Sequence, residues 1–158
     1  MLASRILEVE LKTIIIYAST HHGNTKKVVD AISKECDVEL VDATRVHEKD
    51  LREYDLIGFA SGIFFTKFSD QVLNFARVNL PANKNVFFIA TAGNPMKGNF
   101  NSIAEVVKDK KCNEVGRFQC KGLDTYGPFK LFGGIQKGHP DETELKAAVD
   151  FYKGITGV

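Results

Sequence analysis

The residues of this chain with the plainest capacity for chemistry are consecutive: Ser19, Thr20, His21, His22, Gly23, Asn24 and Thr25. They follow the apolar run Thr13-Ile14-Ile15-Ile16-Tyr17 and precede Lys26-Lys27-Val28-Val29-Asp30-Ala31-Ile32, which reads as helix. Strand, polar loop and helix start in that order form an anion-binding device. The first N–H groups of a helix have no partner inside it, and the aligned peptide dipoles add partial positive charge. Ser19, Thr20 and Thr25 offer short hydroxyl donors, and Gly23 lets the backbone approach a ligand closely. The chemistry expected is the cradling of one phosphate. Ser, Asn and Thr also serve as ordinary helix caps, but this stretch without an aliphatic side chain is longer than a cap requires. His21 is expected to face solvent or to contribute its backbone alone. For His22 the sequence leaves open whether it faces solvent or donates to the phosphate. Neither histidine adjoins a nucleophile, so no histidine catalysis is expected.

Two later stretches have a related character. Ser61-Gly62-Ile63-Phe64-Phe65-Thr66 follows an apolar run and places an apolar cluster where a loop is expected to be polar. Ile63, Phe64 and Phe65 either complete the core or form a wall for a flat ligand. Thr91-Ala92-Gly93-Asn94-Pro95 follows another apolar run and is rich in breakers.

The elements that must position these stretches alternate. Lys12 to Ala18 is a β-branched run suited to a strand covered on both faces. Asn24 to Ser33 carries Val28, Val29 and Ile32 on one helical face. Val38 to Val41 reads as a short edge strand, Asp42 to Tyr54 as loop with a short helix, and Asp55 to Ala60 as a third strand ending at Ser61-Gly62. A helix over Ser69 to Leu80 has Ser69 as its cap and Pro81 as its stop. Asn85 to Ala90 is a fourth strand, Asn101 to Lys111 a helix, and Val115 to Cys120 a fifth strand. Lys121 to Gly138 is a long Gly-rich loop. A last helix opens at Pro140-Asp141-Glu142, its acids suiting the dipole, and runs to about Lys153. Five alternations of strand and helix predict an α/β fold, a single doubly wound domain with a parallel sheet flanked by helices.

Composition bounds the function. The chain has 158 residues, 44% hydrophobic and 26% charged, with a net charge of +1. That suits one globular domain and gives no bulk signal for nucleic acid. No apolar run approaches the roughly 20 residues of a membrane span, and residues 1–11 read as a short extension without the core of a signal peptide. Cys36, Cys112 and Cys120 are widely spaced and fit free thiols in a reducing compartment. The expectation is a cytoplasmic protein that binds neither membrane nor nucleic acid, a domain over 12–158, and no metal.

Several phosphate-handling families are excluded by their own requirements. The first loop has no G-x-G-x-x-G for a dinucleotide and no Gly-Lys-Ser/Thr for a nucleoside triphosphate. It has no cysteine for a phosphatase of low molecular weight, and no acid follows the first or third strand as a receiver domain requires.

The stretch Ile14-Ile15-Ile16-Tyr17-Ala18-Ser19-Thr20-His21-His22-Gly23-Asn24-Thr25 resembles the phosphate-loop signature of flavodoxins, Ser/Thr-x-Thr-Gly-Asn-Thr, in Ser19, Gly23, Asn24 and Thr25. The His21-His22 pair carries one extra residue. The likeness extends over about 12 to 156. It implies a five-stranded parallel sheet in the order 2-1-3-4-5, with a ligand at the carboxyl ends of strands one, three and four. It implies flavin mononucleotide, FMN, as the cofactor. The phosphate would lie in Ser19 to Thr25. The ring would lie among Ser61, Gly62, Ile63, Phe64, Phe65, Thr91, Ala92 and Gly93. Flavodoxins often carry a Tyr in the loop after strand four, and none stands near Thr91.

The function implied is electron transfer, with FMN cycling between oxidised, semiquinone and hydroquinone states, and Gly62 accommodating the peptide rotation that the change requires. No catalytic residue of its own is implied. The partners implied are FMN and redox proteins not named by the sequence, with the chain a monomer or weak dimer. The alternative is a small FMN-dependent NAD(P)H:quinone-type reductase. Because flavodoxin carriers are typically acidic, the net charge of +1 further predicts a flavin rim set by Lys67, Lys97, Lys121, Lys130 and Lys137 against Asp70 and Asp124.

Overall fold

The computed structural model describes residues 10–20, 23–122 and 138–157. Strand β1 is Thr13–Ala18, helix α1 Asn24–Glu35, β2 Glu39–Asp42, β3 Leu56–Phe64, β4 Lys67–Phe68, and α2 Asp70–Asn79. Strand β5 is Asn85–Ala92, followed by a 3₁₀ turn Lys97–Phe100, α3 Asn101–Asp109, β6 Asn113–Lys121 and α4 Glu142–Thr156. The sheet runs in the order β2-β1-β3-β5-β6, all parallel, and β4 adds a short antiparallel strand to β3. This is the expected doubly wound α/β architecture, with one strand more than expected.

Side-chain alternation along β1 explains the two layers. Ile14 and Ile16 face α2 and α3, together with Ile57, Phe59 and Phe88. Ile15 and Tyr17 face α1 and α4, together with Phe87 and Ile89. Each fully buried aliphatic or aromatic side chain contributes about 1.5–3 kcal/mol, so a strand buried on both faces is held without polar help. Gly58 in β3 is needed for packing: a Cβ there would lie 2.3 Å from the Phe87 ring. Among the described residues, no helix is long and apolar enough to cross a membrane.

Four boundaries differ from the sequence expectation, each for a local reason. The stretch between β2 and β3 holds turns and no helix, because Asp42 accepts from the Thr44 N–H at 2.9 Å and Asp50 from the Arg52 N–H at 3.0 Å. Strand β3 continues through Ser61 and Gly62 to Phe64 and turns back as a hairpin. The return is anchored by Phe68, 2% exposed, whose ring meets Phe88 and Phe100. Strand β5 continues through Thr91 and Ala92, because Gly62 pairs with Thr91 and Lys121 with Ala92. Helix α4 runs to Thr156, where Gly157 ends it with φ 72°.

Candidate functional site

The sheet order reverses between β1 and β3, and the loops after β1, β3 and β5 meet at that point, outside the carboxyl ends of the strands. The first loop enters α1 through Gly23, whose φ of 67° is left-handed and suits glycine. Among the described residues, a Cβ on Gly23 would meet nothing within 4 Å, so they leave the start of α1 open. Its N-cap residue, Gly23, has no side chain to cap it, and its first turn contains no acid. Ser19 Oγ instead accepts from the Lys26 N–H at 3.1 Å, which leaves the Ser19 hydroxyl proton available to a ligand. Thr20 is exposed. His21 and His22 lie outside the described residues.

Thr25 sits differently from the simplest reading of its sequence. It is 1% exposed, and its hydroxyl lies 2.9 Å from the Thr91 hydroxyl, which is itself buried. The pair ties the first and third loops together beneath Gly62, whose hypothetical Cβ would be 3.9 Å from both oxygens. Two hydroxyls joined by one hydrogen bond retain one proton to give elsewhere. Asn24 is buried against Gly122, where an added Cβ would lie 2.7 Å from the Asn24 amide nitrogen. Gly122 in turn donates its N–H to the Ala92 carbonyl at 3.0 Å. Gly122 thus belongs to the site, although nothing in the sequence but its place after a strand pointed to it.

In the second stretch, Ser61 is fully buried. Its hydroxyl donates to the Gly62 carbonyl at 2.6 Å and accepts from the Ser69 N–H at 2.8 Å. Gly62 is therefore a strand residue with its carbonyl held, and not a turn. Ile63 packs on the core. Phe64 is partly buried, and its ring lies 4.0 Å from the hypothetical Gly62 Cβ. Phe65 is 73% exposed at the tip of the hairpin. In the third stretch Thr91 and Ala92 are buried and Gly93 half-buried. Two residues missed by sequence reasoning, Asn99 and Gln119, hold the segment from Asn94 to Met96. Asn99, 1% exposed, donates to the Asn94 carbonyl and to Gln119, and Gln119 donates to the Met96 carbonyl at 3.0 Å.

Cys120 pairs with Thr91 across the sheet, close enough to raise the question of a nucleophile. Burial, reinforced by Glu144 and Asp141, pushes its thiol up to about 12, so it stays protonated and inert.

The expected ring of lysines is only half of the charge at this edge. Lys67, Lys97 and Lys121 stand there, while Lys130, Lys137 and Asp124 lie outside the described residues. Helix α4 also begins at this edge and brings Asp141, Glu142 and Glu144. Glu144 accepts from the Lys121 N–H at 2.9 Å, and His139 Nδ1 meets Glu144 as well. The edge is divided, with Lys67 and Lys97 beside β3 and β5, and the acids beside β6, where Lys121 ends the strand.

A model of the flavodoxin domain matches residues 14–127. An uncharacterized protein of Methanocaldococcus jannaschii is 40% identical over 147 residues, covering 92% of this chain and 98% of that protein. Among solved structures, oxidised flavodoxin 2 from Bacillus cereus superposes with a TM-score of 0.66 at 17% identity, over 92% of this chain and 98% of that one. A flavoprotein of Lactobacillus acidophilus, solved in complex with FMN, gives 0.55 at 19% identity, over 70% of this chain and 93% of that one. With a sheet in this strand order and a family match over most of its length, the chain belongs to the flavodoxin domain family.

Proposed function

We propose that this protein binds FMN at the carboxyl edge of the sheet and works as an electron carrier. The observation that carries the reading is the start of α1: a loop of hydroxyl residues opens onto a helix whose first turn carries no acid and whose N-cap residue, Gly23, has no side chain to cap it. The residues present fit a phosphate monoester. The Ser19 hydroxyl proton is unspent, the Thr25–Thr91 pair has one proton left, and Gly23 leaves the approach open. Lys27 and Lys26 add positive potential nearby, although Lys26 is paired with Asp30 at 2.8 Å.

The ring fits the two neighbouring loops. Phe64, beside Gly62, supplies an apolar wall, and the backbone of Gly62, Ala92 and Gly93 supplies the hydrogen-bonding rim that a flat heteroaromatic requires. Ser61 orients the Gly62 carbonyl, and the Asn99–Gln119 pair orients Asn94 and Met96. FMN, when bound, supplies reversible uptake and release of electrons. The chain supplies binding and orientation through these groups, with no nucleophile or acid–base pair among the described site residues. All three cysteines are free, which suits action in the cytoplasm.

Absorbance of the purified protein tests the reading. Flavin bands are expected, with a chromophore released on denaturation that has the mass of FMN. A colourless protein that leaves FMN fluorescence unchanged on titration would overturn it. Mixing with NADPH then separates carrier from reductase: a carrier is not reduced rapidly by NADPH alone.

A further inference from the structure

The hairpin β3–β4 presents an aromatic ring to solvent at a conformational cost. Phe65 and Thr66, its two turn residues, both have left-handed backbones, with φ 50° and 64°. For residues with a Cβ this conformation is unfavourable. The surrounding structure holds the turn in place from four sides. Ile63 pairs with Phe68 and Phe64 with Lys67. The Phe68 N–H donates to Ser102 Oγ at 3.0 Å, and the Ser69 N–H donates to Ser61. The product of this rigidity is a Phe65 side chain 73% exposed.

A second exposed apolar side chain stands at the neighbouring loop. Met96, 43% exposed, precedes the 3₁₀ turn against which β4 packs. The Asn94 amide contacts its sulfur at 3.3 Å, and its carbonyl is held by Gln119. Lys67 and Lys97 flank these two side chains. Both are exposed, and among the described residues neither has an ion-pair partner. Asp70 is the acid nearby, and it stands in the first turn of α2, where the helix dipole offsets it. The acids at the other end of the edge are engaged differently. Asp141 and Glu144 form a reciprocal capping box, and Glu144 also receives the Lys121 N–H.

We propose that Phe65 and Met96, framed by Lys67 and Lys97, form the docking surface for a redox protein whose contact face is acidic around an apolar centre. Charge complementarity selects the partner class, and the two rigidly held apolar side chains supply the desolvated contact at its middle. The proposal rests on the carrier reading, since the surface adjoins the loops assigned to the flavin ring.

The test is a titration of the isotope-labelled, flavin-loaded protein with an acidic ferredoxin, followed by amide chemical shifts, with basic cytochrome c as the opposite probe. Saturable shifts at Phe65, Lys67, Met96 and Lys97 are expected with ferredoxin at low salt, and their loss is expected at high salt. The double variant K67E/K97E is expected to weaken this binding at least ~10-fold. F65S is expected to weaken the low-salt binding without changing its dependence on salt. Shifts confined to the Asp141–Glu144 end, tighter binding of cytochrome c, or no response to either protein would overturn the proposal. FMN fluorescence quenching on the same samples reports the flavin reading separately. Tight FMN binding without a ferredoxin response overturns the docking surface alone, and failure to bind FMN overturns the flavin reading on which it rests.

Discussion

Helices α1 and α4 both begin at the carboxyl edge of one sheet, and they begin in opposite ways. Helix α4 carries its own counter-charge: Asp141 accepts from the Glu144 N–H at 2.9 Å, the Glu144 side chain returns to the Asp141 N–H, and Glu142 adds a third carboxylate. Helix α1 opens on a left-handed glycine with no side chain of its own to cap it, has no acid in its first turn, receives the Ser19 hydroxyl at the Lys26 N–H, and carries Lys26 and Lys27 close to its start. The physics of a helix start is the same in both, with unpaired N–H groups and a positive dipole end. One chain segment satisfies it internally for stability. The other, among the described residues, satisfies one N–H through Ser19 and supplies no acid in its first turn, as the proposed phosphate site requires.

The comparison can be broken from either side, and the largest expected effect lies at α1. Replacing Ser19 and Thr25 together by Ala removes two donors to a charged group, each worth about 1.5–3 kcal/mol. FMN affinity measured by calorimetry is expected to fall ~10²-fold or more, and an unchanged affinity would remove α1 from the site. Gly23→Asp gives α1 the internal acid that α4 already has. FMN affinity is expected to fall ~10-fold through repulsion of the phosphate, since a charge at ~8 Å is worth ~2 kcal/mol before screening. The loss is expected to shrink as salt rises. Asp141→Ala removes the cap of α4 and is expected to cost about 1 kcal/mol in denaturant unfolding while leaving FMN affinity unchanged.

The smallest effect concerns Cys120, which lies near the α4 acids. Its thiol is pushed up to about 12 by burial first and by Glu144 and Asp141 next. A raised folded value means that the unfolded chain loses the proton first. The contribution to stability is therefore intact below the ordinary thiol range near 9 and is lost as pH rises from there towards 12. Cys120→Ala is expected to flatten the alkaline fall in stability; an identical pH profile would contradict this origin.

Much of this was legible in the sequence where chemistry is local. The run Thr13 to Ala18, the helix after Asn24, the Ser69 cap and the strand order came from periodicity, turn residues and a family resemblance. What was not legible depends on contacts between distant segments. The hairpin after Phe64 exists because Phe68 finds Phe88 and Phe100, far along the chain. Thr25 faces Thr91 because β5 passes beneath α1, a pairing 66 residues apart. Gly122 belongs to the site because its missing side chain makes room for Asn24. Lys67, Lys97 and Lys121 were readable as charges near these loops, but the acids that share the edge arrive with a helix whose start is placed by tertiary structure.

The central claim is that the start of α1 holds a phosphate, and it is tested most directly by comparing FMN with riboflavin. The two share the ring and differ in the phosphate. Titration of flavin-free protein, monitored by fluorescence quenching, is expected to show FMN binding at least ~10-fold tighter than riboflavin, the worth of one lost hydrogen bond to a charged group. The preference is expected to disappear in the Ser19→Ala/Thr25→Ala variant. Equal affinity for FMN and riboflavin in the unaltered protein would contradict the account.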